Sequence, residues 1–276
     1  MHIITLTTDF GYKDPYVGSL KGAIYSQLED VRVVDISHEV SPFHLAEAAY
    51  IIKNAYANFP KETIHIIGVD SELTPENKHL AVQLNGHYFV CADNGIISML
   101  MLEQHAEKIV EINIHDRTNS NFTVLDTFIN VACHIARGGT LEVIGKPINV
   151  IKELTGMRPT TITDKKQIIG NVLYIDNYGN VITNISKKLF DDFGKGREFD
   201  IHARSETFTK IHRSYGDAIL FDSPKDKRIE DGKSIALWNS SAHLELAVYK
   251  SNLHTVGGAS SLFGLRYRDT ISITFK

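Results

Sequence analysis

Residues 5–18, TLTTDFGYKDPYVG, decide how the rest of the chain is read. The apolar run before them ends on an acid, Asp9. A glycine turn follows, and then Asp14-Pro15, a pair suited to cap a helix and open its first turn. Strand, turn and helix in so short a span open an α/β unit. An acid at the end of a buried strand must be solvated or partnered. In open α/β sheets that end is also where ligands bind.

Outward from this stretch the first half keeps the same rhythm. VRVVDIS, TIHIIGVD, HLAVQL, YFVCAD and KIVEINI are short, β-branched-rich runs that stop at polar residues. Helices are expected over 16–28 after Asp14-Pro15 and over 43–59 after Ser41-Pro42. In the second, Leu45, Ala48, Ala49, Ile52 and Ala55 line one apolar face. Further helices are expected at 95–104 and at 126–139, the latter closed by a glycine pair. The expectation is an α/β protein: an open α/β sheet over residues 1–150, then a linker over 151–167 where Pro, Thr and Lys break the rhythm. Residues 168–276 hold many short strands with turn signals between them, which predicts a smaller all-β, barrel-like domain.

Composition narrows the function. With 276 residues, 43% of them hydrophobic and 22% charged, the chain has the make-up of an ordinary globular protein. Its net charge of −4 leaves no excess of cations to neutralise phosphates, so nucleic acid is not the expected partner. Apolar runs such as GIISMLML fall short of the ~20 residues a membrane span needs. The start lacks a basic leader, so a cytoplasmic location is expected. Cys91 and Cys133 show no CxxC or metal spacing and read as small core residues.

Four acids fall at strand ends: Asp9, Asp35, Asp70 and Asp93. Asx turns account for such residues without any function. Asp35 near Ser37, and Asp93 beside Asn94-Gly95, fit that description best, which leaves Asp9 and Asp70 as functional candidates. A metal site could draw on His38, His65 and Asp93, but no metal-ligand spacing is present and no ligand is assigned. A sugar site would set a carboxylate against a ribose diol, although without GxGxxG it is not a dinucleotide fingerprint. A second cluster, YIDNYGNVITNI at 174–185, gathers Asp176, Tyr178 and Asn180 around a glycine. An Asn amide can pair with adenine, and an aromatic ring can stack on it for about 1–3 kcal/mol. The same residues would also make a plain hairpin turn. LWNSSAH, with Ser240 and Ser241, is either a polar turn or a donor set for a carboxylate.

Together these stretches resemble one family: the S-adenosylmethionine-dependent fluorinases and chlorinases with the SAM hydroxide adenosyltransferases, hydrolases that form adenosine and methionine. TTDFGYKDPYVGSLKG, VVDISHEVSPFHLAEAAYII, FPKETIHIIGVD, ADNGIIS, YIDNYGNVITNI and NSSAHLELAV occur in the family's order across both expected domains. The resemblance implies SAM as substrate with no further cofactor, and a homotrimer with sites between subunits. It implies Asp9 on the ribose diol, Phe43 as the aromatic residue against the ligand, Tyr215 flanking adenine, and Asn180 binding it. Asp176 and Ser240 fall at positions that contact the methionine group, and the family's serine-arginine pair there reads Ser240-Ser241. Of the residues that orient water, the aspartate is Asp70. The arginine seven residues later is replaced by Asn77 and the distant histidine by Thr123, while Glu72 is an added acid in the same loop. Asn carries no charge and Thr takes no proton near neutral pH. Glu72 with Asp70 could serve as a general base, and paired acids would repel a halide. The expected function is therefore hydrolysis of SAM, or a related adenosyl compound, by water at the ribose 5′ carbon. The alternatives are a catalytically impaired adenosyl-binding protein and, third, a metal-dependent hydrolase.

Overall fold

A computed structural model describes residues 2–101, 104–114, 122–154, 158–219, 221–227 and 232–276. The chain divides into two compact units, Met1–Leu154 and Thr155–Lys276. The first runs β1 (His2–Thr8), α1 (Tyr16–Gln27), β2 (Val31–Ser37), α2 (Leu45–Tyr56), β3 (Ile64–Gly68), β4 (His79–Leu84), β5 (His87–Ala92), α3 (Ile96–Leu100) and β6 (Lys108–Ile112). A π-helical turn (Val124–Phe128) then leads into α4 (Ile129–Ala136), and β7 (Gly145–Pro147) follows.

These strands form one sheet in the order β2-β1-β3-β5-β4-β6-β7. Neighbours from β2 to β5 pair in parallel, whereas β4, β6 and β7 join antiparallel. The sheet is thus mixed. The β4–β5 hairpin turns on Asn85 and Gly86, both at positive φ (53° and 69°), the backbone that an Asn-Gly pair adopts readily. Alternating side chains feed two cores. Ile4, Leu6, Ile64 and Ile66 meet Leu20, Ile24 and Phe128 on one face, and Ile67, Phe89 and Cys91 meet Ile52 and Ile97 on the other. Each fully buried side chain of this size contributes about 1.5–3 kcal/mol.

Two expected helix starts move. α1 begins after Pro15 with no side-chain cap, so Asp14 is not its N-cap. α2 begins after His44, whose Nδ1 accepts from the Glu47 N–H at 3.0 Å, in place of Ser41. Both cysteines are buried and free. Among the described residues no helix is long and apolar enough to cross a membrane.

The second unit comprises β8 (Thr160–Ile162), β9 (Gln167–Ile175), β10 (Val181–Ser186), α5 (Lys187–Gly194), β11 (Phe199–Ala203), β12 (Glu206–Phe208), β13 (Ser234–Trp238), β14 (His243–Val248), α6 (Ala259–Leu262) and β15 (Thr270–Phe275). Its antiparallel sheet runs β12-β11-β15-β9-β10-β14-β13. Just past β12, His212 bridges to Leu237 of β13, so the two ends of the sheet come together and the barrel nearly closes. β8, within the stretch expected as linker, pairs with β9. Val172, Val181, Ile201, Leu246 and Ile273 fill the interior. Ser186 caps α5, its Oγ accepting from the Leu189 N–H at 3.2 Å.

Candidate functional site

In the first unit the chain leaves β1 at Thr8 and β3 at Gly68, two parallel neighbours whose onward connections, to β2 and to β4, lead toward opposite edges of the sheet. Their carboxyl ends therefore flank a topological switch point. Asp9 and Asp70 stand there. Asp9 Oδ2 accepts from the Phe43 N–H at 2.9 Å. Burial pushes the Asp9 carboxyl above the usual aspartate range; that backbone bond opposes the rise and the Asp70 charge adds to it. Phe43 and Asp70 both have left-handed backbone, at φ 62° and 46°, a strained setting for side chains of these types. Phe43 is 73% exposed.

The Asp70 loop is held through its carbonyls. Asn77 Nδ2 donates to Asp70 O at 3.2 Å and to Glu72 O at 3.1 Å, and Asn94 Nδ2 donates to Val69 O and Asp70 O, each at 3.0 Å. Asn77 is therefore a loop staple, and Glu72 is exposed. The acid that the structure sets beside Asp70 is Asp9. Thr123 is half-buried at the start of the π-helical turn. Its neighbour Phe122 lies 5.4 Å, ring to ring, from Phe10, which follows Asp9. A Cβ on Gly68 would come 3.1 Å from the Thr8 methyl and 3.2 Å from Val124, so the turn carrying Thr123 packs tightly against the end of β3.

Asp35 is not a turn residue. It lies inside β2, where Lys21 Nζ donates to its Oδ2 at 2.6 Å. Fully buried His38 places Nε2 3.1 Å from Asp35 Oδ1, a polar contact off the line of a straight hydrogen bond. Its Nδ1 lies 2.7 Å from Thr8 Oγ1. Burial alone would raise the Asp35 carboxyl, but the Lys21 and His38 contacts hold it below the usual range. The His38 carbonyl also accepts from Gly11 N–H at 2.7 Å, so this chain of polar groups pins both sides of Asp9. His65 is elsewhere, inside β3, its Nδ1 2.7 Å from Thr5 Oγ1 and its ring stacked on Phe89. Burial, with the His87 charge, pushes it down to about 3. Asp93 Oδ1 accepts from the Lys152 N–H. Among the described residues His38, His65 and Asp93 do not come together as metal ligands.

In the second unit the turn after β9 organises around Asp176. Its Oδ1 accepts from the N–H groups of Tyr178 and Asn180, each at 2.9 Å, and its Oδ2 from Asn180 Nδ2 at 2.9 Å. Asn180 Nδ2 also donates to the Tyr215 hydroxyl at 3.1 Å, and that hydroxyl donates to Glu245 Oε1. Burial, then Glu245, pushes the Tyr215 phenol well above its usual range. Burial raises the Glu245 carboxyl too, opposed by the bonds from Tyr215 and Asn239. Tyr178, Asn180, Tyr215, Val248, Tyr249, Lys250 and Ser251 line a cleft of about 390 Å³. Ser240 and Ser241 fall in the turn after β13, where Asn239 Oδ1 accepts from the Ser241 and His243 N–H groups. Ser240 is exposed. Sequence reasoning missed Glu245 and Tyr249; the signal for Glu245 was a single acid inside the apolar run of HLELAV.

Comparison with known proteins adds a separate line of evidence. Residues 4–145 match the model of the SAM hydroxide adenosyltransferase N-terminal domain, and residues 170–272 that of the C-terminal domain. A protein of Methanocaldococcus jannaschii named (R)-S-adenosyl-L-methionine hydrolase is 29% identical, covering 100% of this chain and 97% of its own. A fluorinase of Actinopolyspora mzabensis is 23% identical over 89% of this chain and 90% of its own. The crystal structure of a conserved Thermotoga maritima protein superposes with a TM-score of 0.83 at 27% identity, covering 99% of each chain.

Proposed function

The chain belongs to the SAM hydroxide adenosyltransferase family, and from that premise we propose that it hydrolyses S-adenosylmethionine, or a closely related adenosyl sulfonium, to adenosine and methionine. Water's oxygen bonds to the ribose 5′ carbon as the carbon–sulfur bond breaks. The bond's electron pair leaves on sulfur, which becomes a neutral thioether, and the water proton passes to Asp70. Because the leaving group loses its positive charge, alignment of water with that bond in a dry pocket supplies much of the acceleration.

The observation that carries this reading is the placement of Asp9 and Asp70 together at the carboxyl ends of adjacent parallel strands. In the proposed roles, Asp9 accepts from the ribose diol while Phe43, whose N–H holds the carboxylate, covers the sugar. Asn180 reads the adenine edge and the Tyr215 ring lies against the base. Two acids side by side favour a sulfonium and disfavour a halide nucleophile, which supports water as the attacking group. No cation at position 77 is needed to hold the Asp70 loop, because the Asn77 amide ties down its carbonyls. The same observation favours a second reading, an adenosyl-binding protein with weak or no turnover, since neither Asn77 nor Thr123 can move a proton.

Incubation of the purified protein with SAM, followed by chromatography, separates the two. Formation of adenosine and methionine, abolished in Asp70→Ala, supports hydrolysis. Calorimetric binding of adenosine without turnover supports the second reading. Light scattering on the same preparation tests the homotrimer that the family resemblance implies.

A further inference from the structure

The role proposed for Asn180 leaves Glu245 unexplained. Glu245 is 6% exposed in β14, between Leu244 and Leu246, and an acid there costs more to bury than any apolar residue of similar size. What it holds is the Tyr215 hydroxyl. That hydroxyl has a single hydrogen, which goes to Glu245, so it meets Asn180 only as an acceptor. On the other side, the Asp176 carboxylate is likewise an acceptor. Between them the two groups take both N–H bonds of the Asn180 amide and fix which end of it is nitrogen. The group left to face a ligand is Asn180 Oδ1, an acceptor, in the wall of the cleft that Tyr178, Tyr215 and Tyr249 also line.

An acceptor in that position suits a base that offers an N–H. A 6-aminopurine offers one at its exocyclic amine, whereas a 6-oxopurine offers an oxygen there and would set two acceptors face to face. We propose that Glu245 and Tyr215 are positioning residues that lock the Asn180 amide, making the cleft selective for 6-aminopurine nucleosides over their 6-oxo counterparts. The proposal rests on the adenosyl reading above and adds to it the groups that set base selectivity.

Calorimetric titration of the full-length protein with adenosine and with inosine tests it. The wild type is expected to bind adenosine at least about tenfold more tightly, the scale set by an unpaired buried acceptor. Tyr215→Phe keeps the ring but frees one Asn180 N–H, and the adenosine-to-inosine ratio is expected to fall to about threefold or less. Glu245→Gln, whose amide can donate to the Tyr215 oxygen and release its hydrogen, is expected to narrow the ratio in the same direction. It carries the test should Tyr215→Phe fail to fold. A loosened structure would weaken both nucleosides alike and leave the ratio where it was. Equal binding of the two nucleosides by the wild type, or an unchanged ratio in a variant with native circular dichroism, overturns the lock while the adenosyl reading stands. A wild type that binds neither nucleoside overturns both.

Discussion

Asp9 and Glu245 are both acids that burial pushes toward protonation, yet they are built into the protein in different ways. Asp9 sits past the end of a parallel strand, takes a backbone N–H from Phe43, and lies in a loop whose neighbours Phe43 and Asp70 carry strained φ. Glu245 sits in the middle of an antiparallel strand and takes a side-chain hydroxyl. A strand-end acid held by backbone keeps its remaining lone pairs for a ligand. A mid-strand acid acts only through the neighbour it orients. The first unit therefore presents charge, and the second presents a fixed neutral pattern of hydrogen bonds and rings.

Four predictions break or sharpen that contrast. The largest concerns Asp70: replacement by alanine should lower turnover of SAM by about 100-fold or more, the usual contribution of a general base, with adenosine affinity retained. An equal loss of affinity would make Asp70 a binding group and erase its distinction from Asp9. Next, Asp9→Ala should weaken adenosine binding by roughly 1.5–3 kcal/mol, the scale of hydrogen bonds to a charged group. Preference for adenosine over 2′-deoxyadenosine, measured by calorimetry, should collapse with it.

The third prediction is the pH dependence of that binding. A ribose diol donates to the ionised Asp9, so affinity is full above the Asp9 pKa and falls as pH drops through it. Since burial raises that pKa, the loss should begin at a higher pH than an ordinary aspartate would give, and it should be absent in Asp9→Ala. The smallest effect belongs to Lys21→Met. Its partly exposed ion pair with Asp35 should be worth under about 1 kcal/mol in thermal or urea unfolding. The lowered Asp35 carboxyl contributes stability that is present above its unfolded pKa and lost as pH falls through the folded one. In this variant that acid-side loss should shrink.

Much of the first unit was legible because strand-end polarity and helical periodicity are local signals. TLTTD, HIIGVD and FVCAD place their acids where β1, β3 and β5 end. The mixed sheet was less so: strand direction depends on which runs pair, and the one local hint was Asn85-Gly86 between HLAVQL and HYFVCA. Asp35 was misread because its partner, Lys21, lies on a helix fourteen residues away and is brought alongside only by the β1–α1–β2 crossover. The helix caps shifted because Pro15 and His44, rather than Asp14 and Ser41, occupy the residue before the first helical turn. In the second unit the Asp176–Asn180 turn was visible as a motif. The bonds that extend it, Asn180 to Tyr215 and Tyr215 to Glu245, span 35 and 30 residues of sequence and exist only once β10 and β14 pair.

Running the reaction in water enriched with heavy oxygen, with mass spectrometry of both products, tests water attack at the ribose most directly. Hydrolysis at the 5′ carbon predicts the label in adenosine and none in methionine. Unlabelled adenosine, or no cleavage of SAM at all, would contradict the account.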